Sequence, residues 1–81
     1  MIHYFNVITS DIMDALDVRN NLISVLEENN FEWIDATGGQ AAFVADNRGD
    51  LFQTVVNQVS AFFNVTTEVK TNIPDPGLGL F

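Results

Sequence analysis

The sequence predicts an α+β fold of order β-α-β-β-α-β, and three observations carry that expectation. Residues 12–29 and 51–63 space their apolar side chains with helical period. Four extended segments rich in β-branched and aromatic residues flank them. A glycine pair, Gly38-Gly39, separates the middle two.

The first segment, residues 2–9, runs Ile-His-Tyr-Phe-Asn-Val-Ile-Thr and ends at Thr9-Ser10-Asp11. This reads as a buried strand passing into a helix N-cap, because a Ser, Thr or Asp oxygen accepts from the unsatisfied N–H groups of a first helical turn. Over 12–29, Ile12, Ala15, Leu16, Val18, Leu22, Ile23, Val25 and Leu26 form one face, and Asp14, Asp17, Asn21, Ser24 and Glu28 the other. Arg19 falls inside the apolar face. Either its stem reaches out to the edge or the helix restarts near Asp17, and the residues leave both open.

Residues 31–37 and 40–46 are short apolar-rich segments, and Gly38-Gly39 tolerates the positive φ of a tight hairpin turn. Asn47 then offers a cap for the second helix, with Asp50 three residues on at its positive end. Leu51, Phe52, Val55, Val56, Val59, Phe62 and Phe63 predict the buried face of that helix, and Gln53, Asn57, Ser60 and Asn64 its outer face. Val65, Thr67, Val69 and Thr71 alternate with Thr66, Glu68 and Lys70, the period of a half-exposed strand.

In topology this order resembles the ferredoxin-like fold over residues 2–72, which implies a four-stranded antiparallel sheet with two helices on one face. The expected division is one domain over 1–72 and an extended apolar tail over 73–81. Pro74 and Pro76 fix φ and restrict the residues before them. One side of such a sheet is left uncovered, and Tyr4, Phe31 or Trp33 is expected to emerge there as a surface for homodimerisation or partner docking.

Composition bounds the rest. The chain has 81 residues, 47% of them hydrophobic, with seven phenylalanines, so it differs from disordered chains, which lack aromatics. It has no cysteine, which removes disulfides and thiolate metal sites. No apolar run approaches the roughly 20 residues that span a bilayer, and the start Met1-Ile2-His3-Tyr4-Phe5 lacks the basic region of a signal peptide. A cytoplasmic location is therefore expected. Eleven acidic residues against three basic ones give a formal charge of -8, which repels nucleic-acid phosphates and anionic membrane.

Catalytic and metal patterns are missing. His3 is the one imidazole and has no sequence partners that would make it a general base or ligand, so it reads as an ordinary strand residue. Asp11, Asp14 and Asp17 lack the glycine-containing loop and final glutamate of a calcium-binding hand. Gly38-Gly39 has no following lysine to reach a phosphate. Arg48-Gly49-Asp50 reads as the entry to the second helix, and Asn64-Val65-Thr66 needs a secretory route to be glycosylated. The expectation is a protein with no enzymatic activity, metal or cofactor.

Two features point to partners. The first is a row of carboxylates: Asp14, Asp17 and Glu28 on one helix face, Asp11 and Glu27 flanking it, and Glu32 and Asp35 on the next strand. Such a row imitates phosphates and can enter a basic groove, gaining steering and specificity from complementary charge; an acidic surface also serves plain solubility. The second helix, by contrast, offers mostly neutral Gln53, Thr54, Asn57, Gln58 and Ser60. In size, composition and absence of catalytic apparatus the chain resembles small acidic phage-encoded inhibitors of the anti-CRISPR and DNA-mimic kind. That resemblance implies an inhibitor or modulator binding a protein with an electropositive surface, such as a nucleic-acid-processing complex, in the host cytoplasm.

The second feature is the ending Gly77-Leu78-Gly79-Leu80-Phe81, which resembles the Leu-x-Leu-Phe ending of bacterial sliding-clamp-binding peptides. The resemblance implies that Leu78, Leu80 and Phe81 fill apolar pockets of a clamp, although Gly77 stands where those peptides carry glutamine. The residues by themselves favour a tail folded back on its own domain, where each of these side chains gains about 1.5–3 kcal/mol on full burial.

Overall fold

The structure, a computed structural model, describes residues 1–44 and 47–73. Its elements are β1 (Ile2–Ile8), α1 (Ile12–Glu28), β2 (Glu32–Thr37), β3 (Gln40–Val44), α2 (Gly49–Phe63) and β4 (Thr66–Ile73). The four strands form one sheet in the order β2-β3-β1-β4, and every neighbouring pair is antiparallel. This is the ferredoxin-like arrangement. β1 lies inside the sheet, and its residues from Ile2 to Phe5 are buried in succession rather than alternately.

Register decides the two sides of the sheet, because residues directly opposite in an antiparallel pair share a side. His3 faces Phe43 and Phe5 faces Ala41. Phe5, Val7, Ala41 and Phe43 cluster with Ala15, Val18, Leu22 and Leu26 of α1 and with Phe52, Val55 and Val56 of α2, so both helices cover the same side. Tyr4, opposite Ala42, and Ile2, opposite Val44, lie on the other side.

Asp11 caps α1 as its sequence position predicts. In extended conformation, its carboxylate accepts from the N–H groups of Met13 at 2.9 Å and Asp14 at 3.4 Å. The helix runs unbroken through Asp17, which settles the place of Arg19: its guanidinium reaches the hairpin and donates to the Gly38 carbonyl at 2.9 Å. Gly38 takes a left-handed φ of 53°, and a Cβ on Gly39 would stand 2.8 Å from the Val7 carbonyl oxygen. The glycine pair is thus required twice, once for conformation and once for space.

Both helices end on an asparagine in the left-handed region, Asn30 at φ 67° and Asn64 at φ 56°. After α1, the Asn30 N–H bonds to the Glu27 carbonyl and Phe31 N–H to that of Leu26, each at 3.0 Å. This crossed pair satisfies carbonyls that a helix end leaves bare, and the apolar Phe31 and Leu26 accompany it into the core.

Three sequence expectations are corrected at α2. Asn47 does not cap it: the capping residue is Arg48, and its side chain makes no cap hydrogen bond. Arg48 is drawn away to the end of α1, where it donates to the carbonyls of Asn29 at 2.7 Å and Asn30 at 2.6 Å. The apolar stripe is also rotated. Leu51 is 41% and Phe62 83% exposed, whereas Ser60, expected outside, is buried. Its hydroxyl donates to the Val56 carbonyl at 2.6 Å and lies 2.9 Å from Thr67 Oγ1, so it enters the core with its polarity satisfied. Ile12, expected on the buried face of α1, is 60% exposed because it precedes the point where that helix meets the sheet. In β4, Ile73 continues the strand and pairs with Ile2. No helix among the described residues is long and apolar enough to cross a membrane.

Candidate functional site

The structure divides the seven carboxylates singled out by sequence into two groups. All seven side chains are exposed. Asp14 and Asp17 stand one turn apart on α1, and Glu27 and Glu28 close its far end, so the helix carries this acidic row over 15 residues, about 21 Å at 1.5 Å per residue. Asp11 begins the row but already accepts from two backbone N–H groups. Glu32 and Asp35 are not continuous with it. They pair with Val44 and Ala42, which puts them on the side of the sheet away from the helices. An irregularity between Trp33 and Asp35 sets this register. Asp35 also accepts from the Ala36 N–H at 2.8 Å.

Electrostatically, α1 is one-sided. Asp14 in the first turn is favoured by the positive end of the helix, whereas Glu27 and Glu28 sit at the negative end with no basic residue in the last turn. Arg48 compensates from outside the helix, bonding to the carbonyls that follow it and lying 4.1 Å over the Phe31 ring. Arg19 is turned to the hairpin, and Lys70 on β4 lies 3.6 Å from Glu68. Among the described residues, no cationic side chain is placed to form an ion pair with Asp14, Asp17, Glu27, Glu28, Glu32 or Asp35.

Apolar side chains stand beside this row, among them Ile12, which the helical period had placed on the buried face. Ile12 and Met13, 60% and 63% exposed, stand between Asp11 and Asp14 in the first turn. The antiparallel sheet order brings the start of α1 and the end of α2 to the same end of the molecule, where Phe62 is exposed as well. Their only sequence signal was position: Ile12 and Met13 directly follow the cap, before the helix reaches the sheet.

The aromatic residues expected on the uncovered side separate. Phe31 lies in the core, because the turn after α1 directs it inward against His3 and Phe52. Trp33, 48% exposed, is paired with Phe43 and so sits on the helix side of the sheet edge. Tyr4 alone is on the uncovered side, and it is only 4% exposed. His3 is fully buried, stacked on Phe52 at 5.0 Å between ring centres, with Nδ1 accepting from the Asn72 N–H at 3.3 Å. Such an imidazole packs; it has no path to a solvent-borne substrate in this conformation. No group of three or more potential ligands among the described residues is placed to hold a metal ion. Leu78, Leu80 and Phe81 lie outside the described residues.

Burial, and secondarily the nearby Glu68 carboxylate, hold the Tyr4 phenol above its ordinary value of 10.0. A raised folded-state value means that the folded chain keeps its proton longer than the unfolded one. Its contribution to stability is therefore complete below about pH 10 and is lost as pH rises through the folded-state value. Tyr4 is the one tyrosine of the chain, so phenolate absorbance reports it directly. The expected titration lies above that of a model tyrosine and returns to the model in urea; coincident curves in both states would contradict the burial.

No family model matches this chain, and no curated protein matches it either.

Proposed function

We propose that the protein is a non-enzymatic binding module that engages an electropositive protein surface through α1. The observation that carries this reading is the exposed row Asp14, Asp17, Glu27 and Glu28, which no cation of the described residues neutralises. A partner lysine or arginine would meet these carboxylates without first displacing an internal ion pair. It would also relieve the crowding of Glu27 and Glu28 against the negative helix end.

Exposed Ile12 and Met13 at the head of the row supply what charge alone lacks. Long-range attraction raises the encounter rate and selects basic partners, while desolvated apolar contacts slow dissociation. The best-fitting partner surface is therefore basic along about two nanometres, the length of the row, with an apolar depression at one end. Nucleic-acid-processing proteins present basic grooves of this kind, and occupying one would inhibit or modulate the enzyme. Glu32 and Asp35, on the other side of the sheet, fall outside this contact.

Affinity capture from the native host, with the triple variant Asp14→Lys/Asp17→Lys/Glu28→Lys run in parallel, tests the reading. A specific partner is expected to be lost from the variant, and to be released from the wild type between low salt and roughly 0.5 M salt as screening shortens the reach of the charges. A partner retained equally by both chains, at both salt concentrations, would reject it.

A further inference from the structure

The sheet has two edges, and the sequence guards only one of them. An edge strand turns alternate N–H and C=O groups outward, and folded proteins blunt such a row with charges, irregular register or a covering element. β2 carries Glu32 and Asp35 with no basic residue, and its register is broken between Trp33 and Asp35. β4 is different. Among the described residues it pairs with β1 alone, and its two charged residues, Glu68 and Lys70, cancel. Its register against β1 is regular over residues 66–70, before Asn72 takes a left-handed φ of 55°.

Charge separates the two edges as well. A chain of formal charge -8 keeps its copies apart unless they meet where charge is sparse. The acidic row lies on α1, which packs against β1, β2, β3 and α2 but not against β4. α2, the helix that does pack against β4, has Asp50 as its one charged residue. β4 and α2 thus form the least repulsive side that one copy can offer another.

β4 is also complementary to itself. When a strand pairs with its own copy about a two-fold axis, opposite residues share a side of the sheet, so the pairing is centred on a residue and not between two. Centring on Glu68 sets that carboxylate against its copy, and centring on Lys70 does the same for the ammonium; like charges directly opposite disfavour pairing. Centring on Val69 sets Glu68 of each copy against Lys70 of the other. The same register puts Val69 against Val69 and Thr67 against Thr71, β-branched pairs that suit a pleated surface. Glu68 and Lys70 are half-exposed and stand 3.6 Å apart within one strand, so two copies complete a square of alternating charge. Val69, packed on one side against the core, gains a neighbour on the other.

We propose that two copies of this chain associate by antiparallel β4–β4 pairing over residues 67–71, centred on Val69, which joins two four-stranded sheets into one continuous sheet. Both acidic rows stay outside this contact. The pairing therefore stands apart from the reading of α1 as a binding surface, and its test leaves α1 untouched.

Sedimentation velocity on the full chain, from about 1 μM to about 1 mM, tests this. The wild type should be dimeric at the upper end and dissociate on dilution. Glu68→Lys and Lys70→Glu each place two like-charge pairs in the contact and should each weaken association by roughly tenfold or more. The double exchange Glu68→Lys/Lys70→Glu restores opposite signs and should recover dimers. Mixing the two single variants should give a heterodimer, because two lysines in one chain then face two glutamates in the other. A wild type that stays monomeric throughout overturns the proposal, and so does a dimer that the single reversals leave unchanged or that exchange and mixing fail to restore. Should the variants fold poorly, hydrogen exchange of the wild type decides it: outward-facing β4 amides should gain protection as concentration rises, and exchange independent of concentration overturns the pairing.

Discussion

Phe52→Ala is expected to remove about 3–5 kcal/mol of stability, the range for truncating a buried aromatic residue. Phe52 is fully buried where α2 crosses the sheet. It meets His3 at 5.0 Å, Phe31 at 5.4 Å and Phe43 at 5.5 Å between ring centres. One residue thus joins β1, β3, the segment entering β2, and α2, and no small shift of a single element can fill the space it would vacate. At roughly 0.05–0.15 kcal/mol per residue, a domain of 81 residues has about 4–12 kcal/mol in all. The loss is thus a large fraction of the total and should move the unfolding midpoint strongly downward. Urea unfolding followed by far-ultraviolet circular dichroism checks this. Phe52→Leu, which keeps most of the volume, should lose much less, and a loss below about 1 kcal/mol for the alanine variant would contradict the packing role.

Arg48→Ala is expected to cost about 2–4 kcal/mol, since hydrogen bonds with a charged donor contribute more than neutral ones and both of these end on carbonyls at a helix terminus. The two bonds, to Asn29 at 2.7 Å and Asn30 at 2.6 Å, close the turn that follows α1. The guanidinium also covers the Phe31 ring. Arg48→Lys is the informative companion. A lysine keeps the charge but lacks the planar fork that meets two carbonyls at once, so it should recover less than half of the loss in thermal unfolding. Full recovery would mean that charge near the helix end, and not bidentate geometry, is what matters.

Arg48 also shows where sequence reading stops. Asn47 was the natural cap by residue type, but capping is settled by what else competes for the neighbouring side chains. Here the end of α1, about twenty residues earlier in the chain, recruits Arg48. Ser60 is similar: its hydroxyl reads as an outer-face group until the Val56 carbonyl and Thr67 are brought beside it. By contrast, Asp11 and Gly38-Gly39 were legible because their roles are local. A cap acts within three residues, and a two-residue hairpin needs its left-handed φ whatever lies around it.

The candidate surface divides along the same line. Periodicity and turn chemistry along the chain were enough to give the order of elements, the strand-to-helix cap and the excess of carboxylates between Asp11 and Asp35. Tertiary pairing decided that Glu32 and Asp35 stand on the opposite side of the sheet from the row on α1, that Phe31 turns inward, and that Tyr4 is hidden on the side expected to be open. The reason is geometric. A strand's side chains alternate with period two, so the pattern names two sides but not which of them meets the helices. That assignment comes only from register against β3 and β1, a contact between residues far apart in the chain.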